Sequence, residues 1–336
     1  MFGKTLSIIG FAAPATITLM MPEASPLPSI DTKVQFEPDT KFGPLLNAYF
    51  GGVGEPLVPE SVSIDYNQAL RDMWDKKLSI KNVSPATRKS APIVIDRYES
   101  EPATLMTIND IAWIANQDVR SSFETINWVG LCNKLKLNQR QCENSATIAG
   151  SINGTTLVSY SMTELMPGTN GERNYDLYNK LTTTAGWQYV ASIPAMGDKY
   201  LSFGPYQFTS FAVYDDGKKA DGASVVNRFA ERKIASSVLH IGYNDQHVAA
   251  NYFAIYNIMR LNKKFEYGVN PNCLRGSNLA TFIATAHHNP GHAIKATVRY
   301  VRTKCTGSYT KHFTNKRVRE YAVKTVANYN ALSDKI

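Results

Sequence analysis

A mainly α chain behind an irregular, Pro- and Gly-rich N-terminal arm is what the sequence predicts. Three observations carry this expectation. Apolar residues recur at helical spacing in several segments after residue 107. Strands with alternating polarity are hard to find. Between residues 25 and 107, prolines, glycines and short apolar pieces follow one another with few long periodic segments. The 336 residues are 43% hydrophobic and 19% charged, with 21 Gly and 16 Pro, which excludes disorder, collagen-like repeats or a coiled coil as whole-chain descriptions. At ~150 residues per domain, the length suits about two domains or one large domain with an extended arm.

Residues 1–24 read as a signal peptide: Lys4 precedes a mostly apolar stretch, Leu6 to Met21, broken by Ser7, Pro14, Thr16 and Thr18. The stretch falls short of the ~20 residues that span a bilayer comfortably. Export is the expected localisation (periplasmic, wall-associated or extracellular), with an uncleaved anchor or a buried strand as alternatives. Pro22-Glu23-Ala24 is a poor cleavage site. Residues 25–107 form the arm or small subdomain, with a short helix around Tyr66 to Asp75. In it, Gly51-Gly52-Val53-Gly54 is a turn, since no Lys-Ser/Thr follows to make a phosphate loop.

Residues 108–336 form the helical domain. Leu157, Val158, Ser161, Met162 and Leu165 mark a helix over Thr155 to Met166. Val248, Tyr252, Ile255 and Met259 mark one over Asp245 to Lys264, capped by Asn244 or Asp245. Leu279, Phe282, Ile283 and Ala286 fall at i, i+3, i+4 and i+7 within Asn278 to His287. Asn315 to Leu332 is the last candidate helix. No internal repeat is detectable, and no segment after the leader is apolar enough to span a membrane.

The net charge is +8, from 36 Lys+Arg against 28 Asp+Glu. A basic surface favours polyanions such as nucleic acid, anionic lipid or anionic cell-wall polymers. The excess reads as scattered, with short clusters at Lys311 to Arg319 and Lys263-Lys264, and no nucleic-acid motif accompanies it. Four cysteines, Cys132, Cys142, Cys273 and Cys305, allow three pairings. Sequential pairing is preferred and agrees with export, and four unpaired cysteines in a reducing compartment are the alternative. No Cys-x-x-Cys is present, which argues against a zinc knuckle.

Three segments carry candidate chemistry. In Ser161-Met162-Thr163-Glu164-Leu165-Met166-Pro167-Gly168, the proline disfavours helical geometry at Met166 and Gly168 suits a helix exit. Glu164 then sits in a last turn among apolar neighbours, where both the helix dipole and desolvation raise a carboxyl pKa toward that of a general acid. In Ser202-Phe203-Gly204-Pro205-Tyr206-Gln207-Phe208-Thr209, Gly204-Pro205 forces a turn that gathers hydroxyl and amide groups suited to sugars. In Ala286-His287-His288-Asn289-Pro290-Gly291-His292, a helix must break at Pro290-Gly291. That break separates His288 from His292, so neither a metal site nor any cofactor is expected.

The order of these segments, with the helix Asp245 to Lys264 between the second and third, resembles the lysozyme-like superfamily, especially the soluble lytic transglycosylases of peptidoglycan. Glu164 takes the place of the family's helix-ending glutamate. Ser202 and Gly204-Pro205-Tyr206-Gln207 take that of its Gly-Leu-Met-Gln turn. His287-His288-Asn289-Pro290-Gly291 takes that of its Ala-Tyr-Asn-x-Gly segment. The likeness covers roughly residues 140 to 305. Leu165 stands where the family has Ser, His288 where it has Tyr, and Pro205-Tyr206 where it has Leu-Met.

The resemblance implies glycan-strand cleavage by a lytic transglycosylase or muramidase. Glu164 would be general acid, then base, as the sugar's own 6-hydroxyl closes onto the anomeric carbon. Ser202, Gly204, Tyr206, Gln207, His288 and Asn289 would bind substrate. A hydrolase needs a second carboxylate, for which Asp198 is the best candidate, ahead of Asp215 and Asp216. Expected partners are peptidoglycan or a related N-acetylated glycan, with anionic wall polymers. Nucleic acid is not an expected partner, and no membrane span should remain after leader removal. A wall-binding or structural protein that keeps the fold without catalysis is the alternative. A chitosanase-like enzyme is disfavoured by the positive charge.

Overall fold

The computed structural model describes residues 75, 78, 79, 88 and 106–336, apart from 167, 184–186, 190, 193–201, 210–211, 214–218, 221, 232–233 and 235–242. The expected leader, nearly all of the expected arm and Asp198, Asp215 and Asp216 lie outside the described residues.

The described part of the chain after residue 105 is mainly α. Its helices are α1 (Ile108–Glu124), α2 (Trp128–Leu135), α3 (Gln139–Ala149), α4 (Gly154–Leu165), α5 (Gly171–Thr182), α6 (Gly222–Ala230), α7 (Tyr243–Asn262), α8 (Gly276–His288), α9 (Pro290–Arg302) and α10 (Lys316–Ser333). Asparagine starts many of them. The side chains of Asn127, Asn138, Asn153, Asn170, Asn289 and Asn315 each accept a hydrogen bond from a backbone N–H of the first turn of α2, α3, α4, α5, α9 and α10. Thr107 and Asp110 close a reciprocal capping box on α1.

Strand content among the described residues is confined to two-residue pieces. β1 (Ala191–Ser192), β2 (Ser202–Phe203) and β3 (Phe208–Thr209) form an antiparallel sheet, with Ser202 opposite Ser192 and Thr209. β4 (Ala212–Val213) pairs with β5 (Lys219–Ala220).

The core is built around α4, which is buried along nearly its whole length and packs against α1, α5, α8 and α10. A helix buried on all sides must satisfy its own polar side chains. Thr163 Oγ1 donates to Ser159 O at 2.7 Å and accepts from Asn328 Nδ2 at 3.1 Å, and Asn328 Oδ1 accepts from Asn174 Nδ2 at 2.8 Å. Two glycines set the helix spacing. A Cβ on Gly154 would stand 1.9 Å from Ala112 O, and one on Gly171 would stand 2.1 Å from Ala327 O. α7 forms the second spine, against α1, α3 and α6.

Disulfides join Cys132 to Cys142 and Cys273 to Cys305, which is the sequential pairing, and the described residues contain no free cysteine. No helix among the described residues is long and apolar enough to cross a membrane.

Candidate functional site

Glu164 lies in the last turn of α4, and Met166 leaves the helix with ψ 150°, the extended geometry forced on a residue before proline. Its side chain is 8% exposed, so the carboxyl group is held inside the fold rather than in open solvent. The Tyr321 hydroxyl, from α10, donates to Glu164 Oε1. Tyr321 is half-buried, and the exposed imidazole of His288 stacks on its ring, with centroids 4.7 Å apart and planes 14° from parallel. Glu164, Tyr321 and His288 thus form one column from the interior to the surface.

Burial and the helix end oppose charge on this carboxylate, whereas the donated hydrogen bond favours it. The neighbouring phenols are shifted by their surroundings. Tyr160 is pushed well above the ordinary tyrosine range by burial first, then by Glu164 and Tyr206. Tyr321 is pushed up likewise, by burial and then by the charge and hydrogen bond of Glu164. Both phenols stay neutral proton donors.

The second segment folds as a tight turn against α4, one turn before Glu164. Ser161 Oγ donates to Pro205 O at 2.8 Å and shares a 2.8 Å hydrogen bond with the Tyr178 hydroxyl. The Tyr160 hydroxyl donates to Tyr206 O at 3.3 Å, and the two rings lie 5.0 Å apart. Gly204 takes φ 70°, a left-handed conformation natural to glycine, while Gln207 takes φ 51°, unusual for a residue with a side chain. Gln207 is held there by its own amide, since Nε2 and the backbone N–H both donate to Gly204 O, at 2.7 and 3.0 Å.

The third segment joins the other two through both histidines. His287 Nε2 lies 3.3 Å from Gln207 O, and its ring packs against Tyr160, Phe208 and Phe253. Asn289 ends α8 and caps α9, where its Oδ1 accepts from His292 N at 3.2 Å. His288 and His292 stand on different helices.

The three segments therefore converge, but not with every side chain in the expected attitude. Ser202, Tyr206 and Gln207, expected to present polar groups to a sugar, are buried. The Tyr206 hydroxyl is 2.6 Å from His247 Nδ1, and the Gln207 amide closes its own turn. Turning the Tyr206 and Gln207 groups inward satisfies them without solvent, so they brace the wall beside Glu164, whereas the buried Ser202 hydroxyl has no hydrogen-bond partner among the described residues. Of the expected ligands only His288 is exposed, and Asn289 is half-buried with its amide oxygen engaged.

Tyr321, Tyr160 and His247 line the candidate site but lie outside the three segments, and His287 lies in the third segment without an assigned role. For Tyr321 a signal existed, because it lies among Val318, Ala322 and Thr325 on the inward face of a recognisable helix. No family model, curated protein or solved structure matches the chain.

Proposed function

We propose that the protein cleaves glycosidic linkages of peptidoglycan or a related N-acetylated glycan, with Glu164 as general acid and then base. The observation that carries this reading is the buried carboxyl group at a helix end, hydrogen-bonded by Tyr321 and connected to the surface by His288. Cleavage needs a proton delivered to the leaving oxygen and stabilisation of an oxocarbenium-like centre. A carboxyl group walled by Tyr160 and Tyr321 is protected from bulk water and oriented by the Tyr321 hydroxyl, which suits proton transfer. In the transglycosylase form the same group then takes the proton of the sugar's 6-hydroxyl as that oxygen closes onto the anomeric carbon. This form needs no second carboxylate, and export supplies the compartment, in keeping with the two disulfides.

Incubation with purified cell-wall sacculi tests the reading. Soluble fragments with anhydro ends are expected; fragments with reducing ends would replace transglycosylase by hydrolase, and no fragments would refute both. Glu164→Gln is expected to lower the rate by at least about 100-fold while the protein stays folded.

A second reading is favoured by the inward attitude of Ser202, Tyr206 and Gln207: a wall-binding protein in which Glu164 and Tyr321 form a purely structural pair. Under it, the Glu164→Gln protein would bind sacculi as tightly as the parent, and neither would release fragments.

A further inference from the structure

The positive charge of the chain is not scattered. Between residues 267 and 319 lie nine of the Lys and Arg residues and no Asp or Glu, so this stretch exceeds the whole net +8 and the remainder is within one unit of neutral. Folding keeps the stretch together. The 3-10 turn Tyr309–His312 packs on both α9 and α10 and so links them. Arg299 Nε donates to His312 O at 2.9 Å, and Thr297 shares a 2.6 Å hydrogen bond with the Tyr309 hydroxyl.

Lys295 and Arg302 occupy one face of α9, with Lys311 on the 3-10 turn and Lys316, Arg317 and Arg319 in the first turns of α10, and all six are exposed. None of them pairs with a carboxylate among the described residues, where the ion pairs are Lys134–Glu231 and Lys335–Glu172. Three cations at a helix N-terminus oppose the helix dipole, so stability does not account for them. The face also leads into the site. Arg317 stands one turn before Tyr321 on α10, and α9 begins two residues after His288.

We propose that this face is a docking track for an acidic polymer, and that the polymer is the substrate glycan itself, its peptide carboxylates held by these cations while a linkage lies at Glu164. The substrate assignment rests on the glycan-cleaving reading. Two observations favour a wall polymer over nucleic acid or a bilayer. The disulfides suit an oxidising compartment. Among the described residues the exposed large apolar side chains, Trp113, Val129, Tyr267, Val323 and Ile336, all lie outside 290–319, so the track has neither an aromatic platform for bases nor an apolar wedge for lipid.

Co-sedimentation with sacculi tests the track, using the Glu164→Gln protein so that binding is read without cleavage. The apparent Kd is expected to weaken by about tenfold between 50 and 300 mM salt, because exposed charges are screened. A similar loss is expected on sacculi whose carboxyl groups have been amidated, and on adding Lys295→Glu, Arg302→Glu, Lys316→Glu and Arg317→Glu together. The amidated arm uses no charge-reversed protein, so misfolding of the fourfold variant does not decide the outcome. Binding indifferent to salt and to amidation overturns the proposal. So does tighter binding to a single-stranded 30-nucleotide DNA or to vesicles containing anionic lipid. Charge-dependent binding by a wild-type protein that never releases fragments refutes the glycan-cleaving reading and leaves the track as a wall-binding face.

Discussion

Glu164 and Tyr321 are neighbours only because α4 and α10 meet, 157 residues apart in sequence. Tyr321→Phe removes the hydroxyl that donates to Glu164 Oε1 inside the fold. A cost of about 1–3 kcal/mol is expected, read as a lower melting temperature, together with a fall in any glycan-cleaving rate. His247 makes a pH prediction. Burial depresses its pKa to about 3 from the ordinary 6.5. The unfolded chain therefore binds a proton that the folded one refuses, so stability is full above pH 6.5 and is lost progressively as the pH falls toward 3. Denaturant titrations between pH 7 and 4 should show this decline, and His247→Gln should flatten it. Glu164 was legible in the sequence because a Pro-Gly pair marks its helix end. His247 was not, because a lone histidine in a helix carries no sign of being buried against Tyr206.

At the scale of elements, the four helices read from apolar periodicity appear within a residue or two of their expected ends: α4, α7, α8 and α10. The helices α1, α2, α3, α5, α6 and α9 were subsumed in a general helical character. Their boundary signal was present in the asparagines at 127, 138, 170 and 289, each of which caps a helix, but asparagine also marks turns and by itself does not separate the two. Close helix approach was equally illegible, since a glycine at a helix start looks like a loop residue. Alanine normally stabilises a helix relative to glycine by about 1 kcal/mol. Gly154→Ala and Gly171→Ala are expected to do the reverse, destabilising by about 1–3 kcal/mol, because each new methyl meets a backbone carbonyl that cannot step aside. Thermal unfolding of the two variants measures the sign.

For the molecule as a whole, the mainly α class follows from periodicity, and the sequential disulfides are the preferred one of the three pairings that four cysteines allow. The concentration of charge needed only a count of acidic residues between 267 and 319, whereas its exposure along one packed set of elements needed the fold. The Cys273–Cys305 bridge spans 32 residues and ties the start of α8 to the end of α9, and Cys132–Cys142 spans only 10. Loop-closure entropy predicts that replacing Cys273 and Cys305 by Ser costs more than replacing Cys132 and Cys142, each on the order of 2–4 kcal/mol. The comparison can be made by denaturant midpoint, and an equal or reversed order would assign the difference to native-state contacts instead.

The 157-residue separation of Glu164 from Tyr321 also sets a timetable for biosynthesis. At the ribosome's pace of about 5–20 residues per second, α4 emerges roughly 8 to 30 s before the tyrosine that will cover its acid. During that interval a helix buried along nearly its whole length in the finished fold has no lid, and a carboxylate at its tip keeps the nascent segment wet. The same side chain that the finished molecule shelters would then serve the unfinished one as a solubilising tag, handed from water to phenol only when the last helix arrives.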